Sequence, residues 1–410
     1  HNTWIDDYNA ATALALQSDN ESTFAPDVCF YSRSGYIRTG AVNWAHWTGD
    51  ASATWSTESG FPAQIAACLS AGMSGIQHCG TDTGGYVCIL SQPTTEELLC
   101  RWVAAAALWG IMRDETEGTG CGKFRRAQIF SSNATEHTWR KYAKLRTQLF
   151  PYIFTTAINA HQTALPMMRH HLLTFPHDVR AVGDEGRYTW MFGPDILAAP
   201  VVQENVATAE NWSVYLPTVS SYPADTTTTW WYDVGSFAVF DQMDGRWRMG
   251  YPNASKAVVQ GGQAITVDAS ALDALPWFVL AGKILHLLDP SVDTIVSNGT
   301  VTDPRVVPRD NRSDILHLWV FPAATQGNAV PNARSANCFA EGTTFDGTEF
   351  QLQGETFQVR PGAETMANHL KVPPPNVFVA QIVVGPGAAP VSIHAQNGTV
   401  LPKLETWSHV

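Results

Sequence analysis

One change of texture along the chain constrains its fold more than any other feature. Up to about residue 188, short strand-like runs such as Val28–Ser32 and Ile76–Cys79 alternate with helix-like ones; beyond it, β-rich runs separated by Gly, Pro, Asn and Asp take over. Alternating strand and helix predicts a parallel sheet covered by helices, and regularly punctuated short strands predict β-sandwiches. In the first part, Ala10–Gln17 and Phe61–Ala71 read as helices. The clearest is Thr94–Ile111, where Thr94 and Glu97 have capping-box spacing ahead of a run rich in Leu, Ala and Trp. Another helix is expected from about residue 135 to 162, with Trp139, Tyr142, Leu145 and Leu149 on its apolar face and Pro151 interrupting it. The β-rich runs include Ser213–Leu216, Thr226–Tyr232, Ala264–Val267, Ile315–Phe321, Thr356–Val359 and Val377–Val384, with the Pro/Asp-rich stretch Leu288–Asp293 as a break between two sandwiches.

Composition narrows the function classes. Apolar residues make up 45% and charged residues 15%, so each part can bury a core and wholesale disorder is not expected. With 25 basic against 37 acidic residues the net charge is −12, and there is no Lys/Arg run; neither nucleic acid nor a membrane is expected as a partner. The longest apolar stretches, such as Val103–Trp109 and Val377–Val384, fall far short of the ~20 residues that span a bilayer. Sequons at Asn20, Asn133, Asn211, Asn253, Asn298, Asn311 and Asn397 predict N-glycosylation and a secreted protein. Cys29, Cys68, Cys79, Cys88, Cys100 and Cys121 cluster early and Cys338 stands alone; in an oxidising compartment some pair, and the odd number leaves at least one without a partner in the chain. No Cys-x-x-Cys occurs, so no metal site is expected, and nothing points to a cofactor. The chain starts at His1 with neither Met nor a signal-like segment, and reads as a processed piece of something longer.

Three strand ends carry candidate chemistry. The first runs from Phe30 through Arg33, Trp44 and Trp47 to Asp50; the second, Gly75–Tyr86, contains His78, Asp82 and two glycines; the third is Ile111-Met-Arg113-Asp114-Glu115. Strand ends that present Asp, Arg, His and Trp before Gly-rich loops resemble the C-terminal face of a (β/α)₈ barrel. Carboxylates beside tryptophans suit sugars, because the ring offers apolar C–H surface to an indole while its hydroxyls need charged acceptors.

The order of these motifs is specific. Arg33-Ser-Gly-Tyr, Trp47-Thr-Gly-Asp50, Trp55, Ser74-Gly-Ile, Asp82-Thr-Gly-Gly-Tyr86 and Glu97-Leu-Leu-Cys-Arg101-Trp102 together resemble the second half of the catalytic barrel of glycoside hydrolase family 31. The resemblance continues through Leu145-Arg146, Pro151-Tyr152, Leu165-Pro-Met-Met-Arg169 and Met191–Val201 to Leu275–Gly282, about the first 285 residues. It implies 1–164 as the C-terminal half of a (β/α)₈ TIM barrel and 165–287 as a proximal β-sandwich; with 288–410, whose β-rich texture predicts a distal β-sandwich, the chain is α/β plus all-β. The stretch between Gln203 and Gly262, with Trp230, Trp231, Tyr232 and Trp247, is longer than usual for the family: either a surface insertion, or a segment that reaches a neighbour or rims the pocket.

The resemblance implies a retaining exo-α-glycosidase, with one carboxylate as nucleophile and another as general acid/base. Asp50 matches the acid/base, though a loop Asp capping the next helix is the plainer alternative. The family's nucleophile precedes the segment matched by His1-Asn2 and Tyr8-Asn9, so a second polypeptide carrying the first barrel half is expected. Arg33 matches a substrate-contacting Arg or is a structural ion-pair residue; Trp47 walls the sugar pocket or belongs to the core. Asp82 either organises Arg113 or touches sugar, and His78 is a ligand residue or a satisfied histidine behind one. The family typically places a His within two residues of the Arg matched by Arg113; here Asp114 and Glu115 follow, either as hydroxyl acceptors or as plain loop carboxylates. That departure leaves open a glycan-binding, lectin-like protein that has lost catalysis.

Overall fold

The computed structural model describes residues 3–18, 29–88, 93–114, 126–204, 211–219, 228–249, 258–296, 300–312, 315–325, 328–330, 332–334, 349–353, 356–360, 377–382 and 392–393. Helix α1 (Thr3–Ser18) leads into four parallel strands lying side by side in chain order: β1 (Tyr31–Ser32), β2 (Ala45–Trp47), β3 (Cys79–Thr83) and β4 (Ile111–Asp114). Helix α2 (Phe61–Met73) connects β2 to β3, and α3 (Glu96–Ala106) connects β3 to β4. Buried Asp6 on α1 holds the turn after β1 in place, its carboxylate accepting from Thr39 Oγ1 at 2.6 Å and from the Arg38 N–H at 3.3 Å.

Local sequence explains where the helices begin and break. Thr95, not Thr94, caps α3: its hydroxyl accepts from the Leu98 N–H at 3.2 Å, whereas Thr94 is buried and donates to the Gly84 carbonyl at 2.6 Å. The helix expected over 135–162 is two, α4 (Asn133–Gln148) and α5 (Phe150–Thr163), turning at Leu149. Pro151 falls in the first turn of α5, where its missing N–H has no intrahelical acceptor to lose. Arg146, half-buried, donates to the carbonyls of Ala107, Trp109 and Gly110 at 2.7–3.2 Å and so closes the C-terminal end of the α3 segment; burial lowers its pKa to about 10.

Beyond α5 the chain is mainly β, and its first sheet is antiparallel throughout. One six-stranded sheet runs, in spatial order, Val258–Gln260, Trp230–Tyr232, Trp277–Leu280, Ile196–Ala198, Trp190–Phe192 and Met168–Arg169. The pair Trp212–Leu216 and Gln263–Val267 packs on it through Met191, Leu197, Val214, Leu216, Trp231 and Phe278. Trp231, Tyr232 and Trp247 are buried core residues, so the aromatic residues of the long 203–262 stretch, Trp230 being half-buried, serve mainly the interior rather than a rim. A seven-stranded sheet follows, and the change of sheet falls between Leu280 and Lys283, at Gly282 with φ +83°, ahead of the break expected at Leu288–Asp293. The reason is stereochemical: one left-handed glycine redirects the chain without any Pro/Asp-rich linker.

The α/β layer and the β-rich part share a continuous core from Phe61, Trp102 and Trp109 to Trp190, Trp277 and Trp319. Polar groups lock the joint. Buried Arg101 of α3 donates to the carbonyls of Ala269 at 2.9 Å and Ala271 at 2.7 Å, and Lys141 of α4 pairs with Asp273 at 2.7 Å. Lys144 bonds Asp293 and the Val292 carbonyl, which puts the Leu288–Asp293 stretch against α4.

Candidate functional site

Strand register decides which side chains share a face. In β3, Cys79 is disulfide-bonded to Cys68 of α2, so Cys79, Thr81 and Thr83 face the helices, while Gly80 and Asp82 face the other way. Parallel pairing sets Trp47 opposite Gly80 and Asp82 opposite Arg113, and Tyr31 opposite Ala45, two residues from Trp47. Tyr31, Trp47, Asp82 and Arg113 therefore occupy the sheet face turned away from the helices. Cys88 is also disulfide-bonded, and Cys29 and Cys100 are free.

These residues form one connected cluster at the C-terminal ends of the strands. Asp82, with no solvent exposure, pairs with Arg113 at 2.7 Å, and Arg113 also donates to the Tyr31 hydroxyl at 2.6 Å. The Arg113 guanidinium lies 5.5 Å from the Trp47 ring centre, and the Arg33 guanidinium 5.4 Å from the same ring. Arg33 in turn pairs with Asp50 at 3.3 Å, just past the end of β2. The side chains of that pair remain 55% and 35% exposed, so it contributes about 0–1 kcal/mol and leaves Asp50 free to engage another group. Gly49, at φ +92°, makes this approach possible: a Cβ there would stand 2.6 Å from Arg33 Nε.

The expected residues fall into three groups. Asp50, Arg33, Trp47, Asp82 and Arg113 are brought together, with Asp82 fully buried and holding Arg113 rather than facing solvent. Asp114 ends β4 beside Thr83, and Glu115 lies outside the described residues. His78 is set apart: it precedes Cys79 at the N-terminal end of β3, opposite to the end that carries Asp82. Burial, helped by nearby His161, lowers its pKa. Tyr31 is the member that the motifs did not single out; only its register in β1 puts it within reach of Arg113. Of the sequons, Asn133, Asn211 and Asn311 are exposed, and Asn20, Asn253, Asn298 and Asn397 lie outside the described residues.

Chemically, the cluster offers one accessible carboxylate, two guanidiniums and an indole whose N–H has no partner among the described residues. That set can give a proton to, or accept a hydrogen bond from, a neutral polyol while a ring face packs on the aromatic side chains.

Comparison with known proteins is consistent with this chemistry. Residues 1–156 match the TIM-barrel domain of glycosyl hydrolases family 31, and residues 164–285 match that family's C-terminal domain. A probable alpha-glucosidase of Oryza sativa subsp. japonica is 27% identical over 316 residues, which cover 77% of this chain and 31% of the relative. The alpha-xylosidase of Saccharolobus solfataricus is 29% identical over 281 residues, 68% of this chain and 32% of its own. A family 31 dextranase of Flavobacterium johnsoniae superposes with a TM-score of 0.59 at 23% identity, over 86% of this chain and 37% of that one, a likeness of fold. The chain thus spans about a third of the length of these relatives.

Proposed function

Since the chain belongs to glycoside hydrolase family 31, we propose that its four parallel strands are the second half of an eight-stranded (β/α) barrel and that Asp50 is the general acid/base of a retaining exo-α-glycosidase. The observation that carries this reading is the half-exposed Asp50, loosely held by Arg33 and next to Trp47 at the C-terminal strand ends. In the first step a carboxylate nucleophile attacks the anomeric carbon while Asp50 gives its proton to the departing glycosidic oxygen; in the second, Asp50 takes a proton from the water that releases the sugar. Arg113, fixed by Asp82 and Tyr31, directs its guanidinium at a sugar hydroxyl. The nucleophile comes from a second polypeptide that carries the first four barrel strands and covers the free edges of β1 and β4. Exposed Asn133, Asn211 and Asn311 support N-glycosylation in a secretory pathway, and a mass shift on treatment with peptide N-glycosidase checks it.

Combined with a polypeptide bearing those four strands, the chain is expected to release nitrophenol from an aryl α-glucoside, α-xyloside or α-sulfoquinovoside. Asp50→Asn is expected to lower kcat/KM about 10²–10⁴-fold. No release from any of the three, or an Asp50→Asn variant as active as its parent, overturns the reading. Asp114 following Arg113 favours a second reading, a glycan-binding protein without turnover. Saturable binding of the same glycosides with no hydrolysis distinguishes it.

A further inference from the structure

A cavity of about 350 Å³ lies away from the Asp50 cluster, where the loop after β2 and the start of α2 meet the β-rich part. None of Asp50, Arg33, Trp47 or Arg113 lines it. Its size falls within the roughly 300–1,000 Å³ typical of small-molecule sites. Three half-buried aromatic residues contribute to its wall: Trp55 from the barrel side, Tyr188 and Trp212 from the other. Asp184 and Glu204 add exposed carboxylates that have no ion pair or side-chain hydrogen bond among the described residues. Glu185 is already engaged, since both of its oxygens accept from Arg180 at 2.6 and 2.7 Å.

We propose that this cavity is a second pyranose-binding site. Aromatic faces match the C–H surface of a sugar ring, and ionised carboxylates are strong acceptors for its hydroxyls. An anionic ligand would meet uncompensated negative charge. A cationic amine would leave no use for the donors in the wall, which are the Trp55 indole N–H, buried without a partner among the described residues, the Ser213 hydroxyl and the Gln203 amide. A neutral ligand that both donates and accepts uses all of them.

The sugar has two possible sources. It is a free saccharide, or it is a residue of an N-glycan on Asn211, which is exposed and immediately precedes Trp212 in the cavity wall. The site stands independently of the role of Asp50, and its test separates the two.

The 410-residue chain is titrated with maltose and with methyl α-D-glucopyranoside, followed by tryptophan fluorescence and saturation-transfer NMR. Binding that persists in Asp50→Asn and falls at least tenfold in Trp212→Ala is the expected result. If an attached glycan already fills the cavity, the parent chain shows no such binding and Asn211→Gln gains it. Should Trp212→Ala fail to fold, Ser213→Arg at the exposed rim blocks the cavity and is expected to abolish the same binding. The proposal is overturned if neither parent nor Asn211→Gln binds either sugar, if Asp50→Asn removes all binding, or if the cavity variants leave it unchanged. Saturation by tetramethylammonium that only Trp212→Ala or Ser213→Arg removes, with no sugar binding, also overturns it.

Discussion

Asp82 has no contact with solvent, and its charge is paired with Arg113. Removing one member of a buried ion pair strands the other, which costs about 3–5 kcal/mol. Arg113→Leu, which takes a partner from the fully buried carboxylate, is therefore expected to destabilise the chain by up to that amount in urea unfolding, and Asp82→Asn, which leaves a guanidinium that is 24% exposed, by less. Tyr31→Phe, which removes only a hydroxyl acceptor from a partly exposed residue, is expected to cost far less, about 1 kcal/mol. Asp50, Arg33, Trp47, Asp82 and Arg113 were legible as candidates because each stands in a local motif. Tyr31 was not, since β1 is only two residues long and its neighbour Arg113 is 82 positions away in the chain. His78 shows the converse: it shares a motif with Asp82, yet four residues of strand put the two at opposite ends.

Thr94 and Thr95 show how finely an element's start is set. Both can cap on spacing alone, and the outcome depends on the Gly84 carbonyl, which takes the Thr94 hydroxyl and leaves Thr95 to accept from Leu98. Thr95→Ala is expected to cost about 1 kcal/mol of stability, read as a lower midpoint of thermal unfolding, while Thr95→Ser retains most of it. Helix periodicity and the Pro151 break were visible in the sequence because both depend on neighbours a few residues apart. The switch between sheets at Gly282 was not, because it depends on which distant strands Trp277–Leu280 and Lys283–Leu288 find as partners.

Across the molecule, two buried histidines couple folding to pH. Burial lowers His171 and His286 to a pKa of about 3; a neighbouring His170 adds to the effect on His171. Unfolded, each titrates near 6.5, so between about pH 6.5 and 3 the unfolded chain binds more protons. Stability contributed by the neutral rings is complete above that window and falls as pH drops, by up to about 1.4 kcal/mol per pH unit for each histidine. Urea midpoints measured from pH 7 to 4 are expected to decline. His286→Leu, at a ring whose nitrogens have no partner among the described residues, is expected to flatten the decline. The split into an α/β part and a β-rich part was legible from texture. The continuity of their core was not, because composition does not reveal which buried faces meet. Arg101 gives that continuity a practical edge. Its guanidinium donates to carbonyls of Ala269 and Ala271, so a chain cut anywhere from 165 to 268 keeps every residue of the Asp50 cluster but strips this arginine of those acceptors and bares the apolar face around Trp102 and Trp109 that packs on Trp190 and Trp277. Anyone trimming this protein at such a point should find the cluster intact on paper and the polypeptide insoluble in the tube.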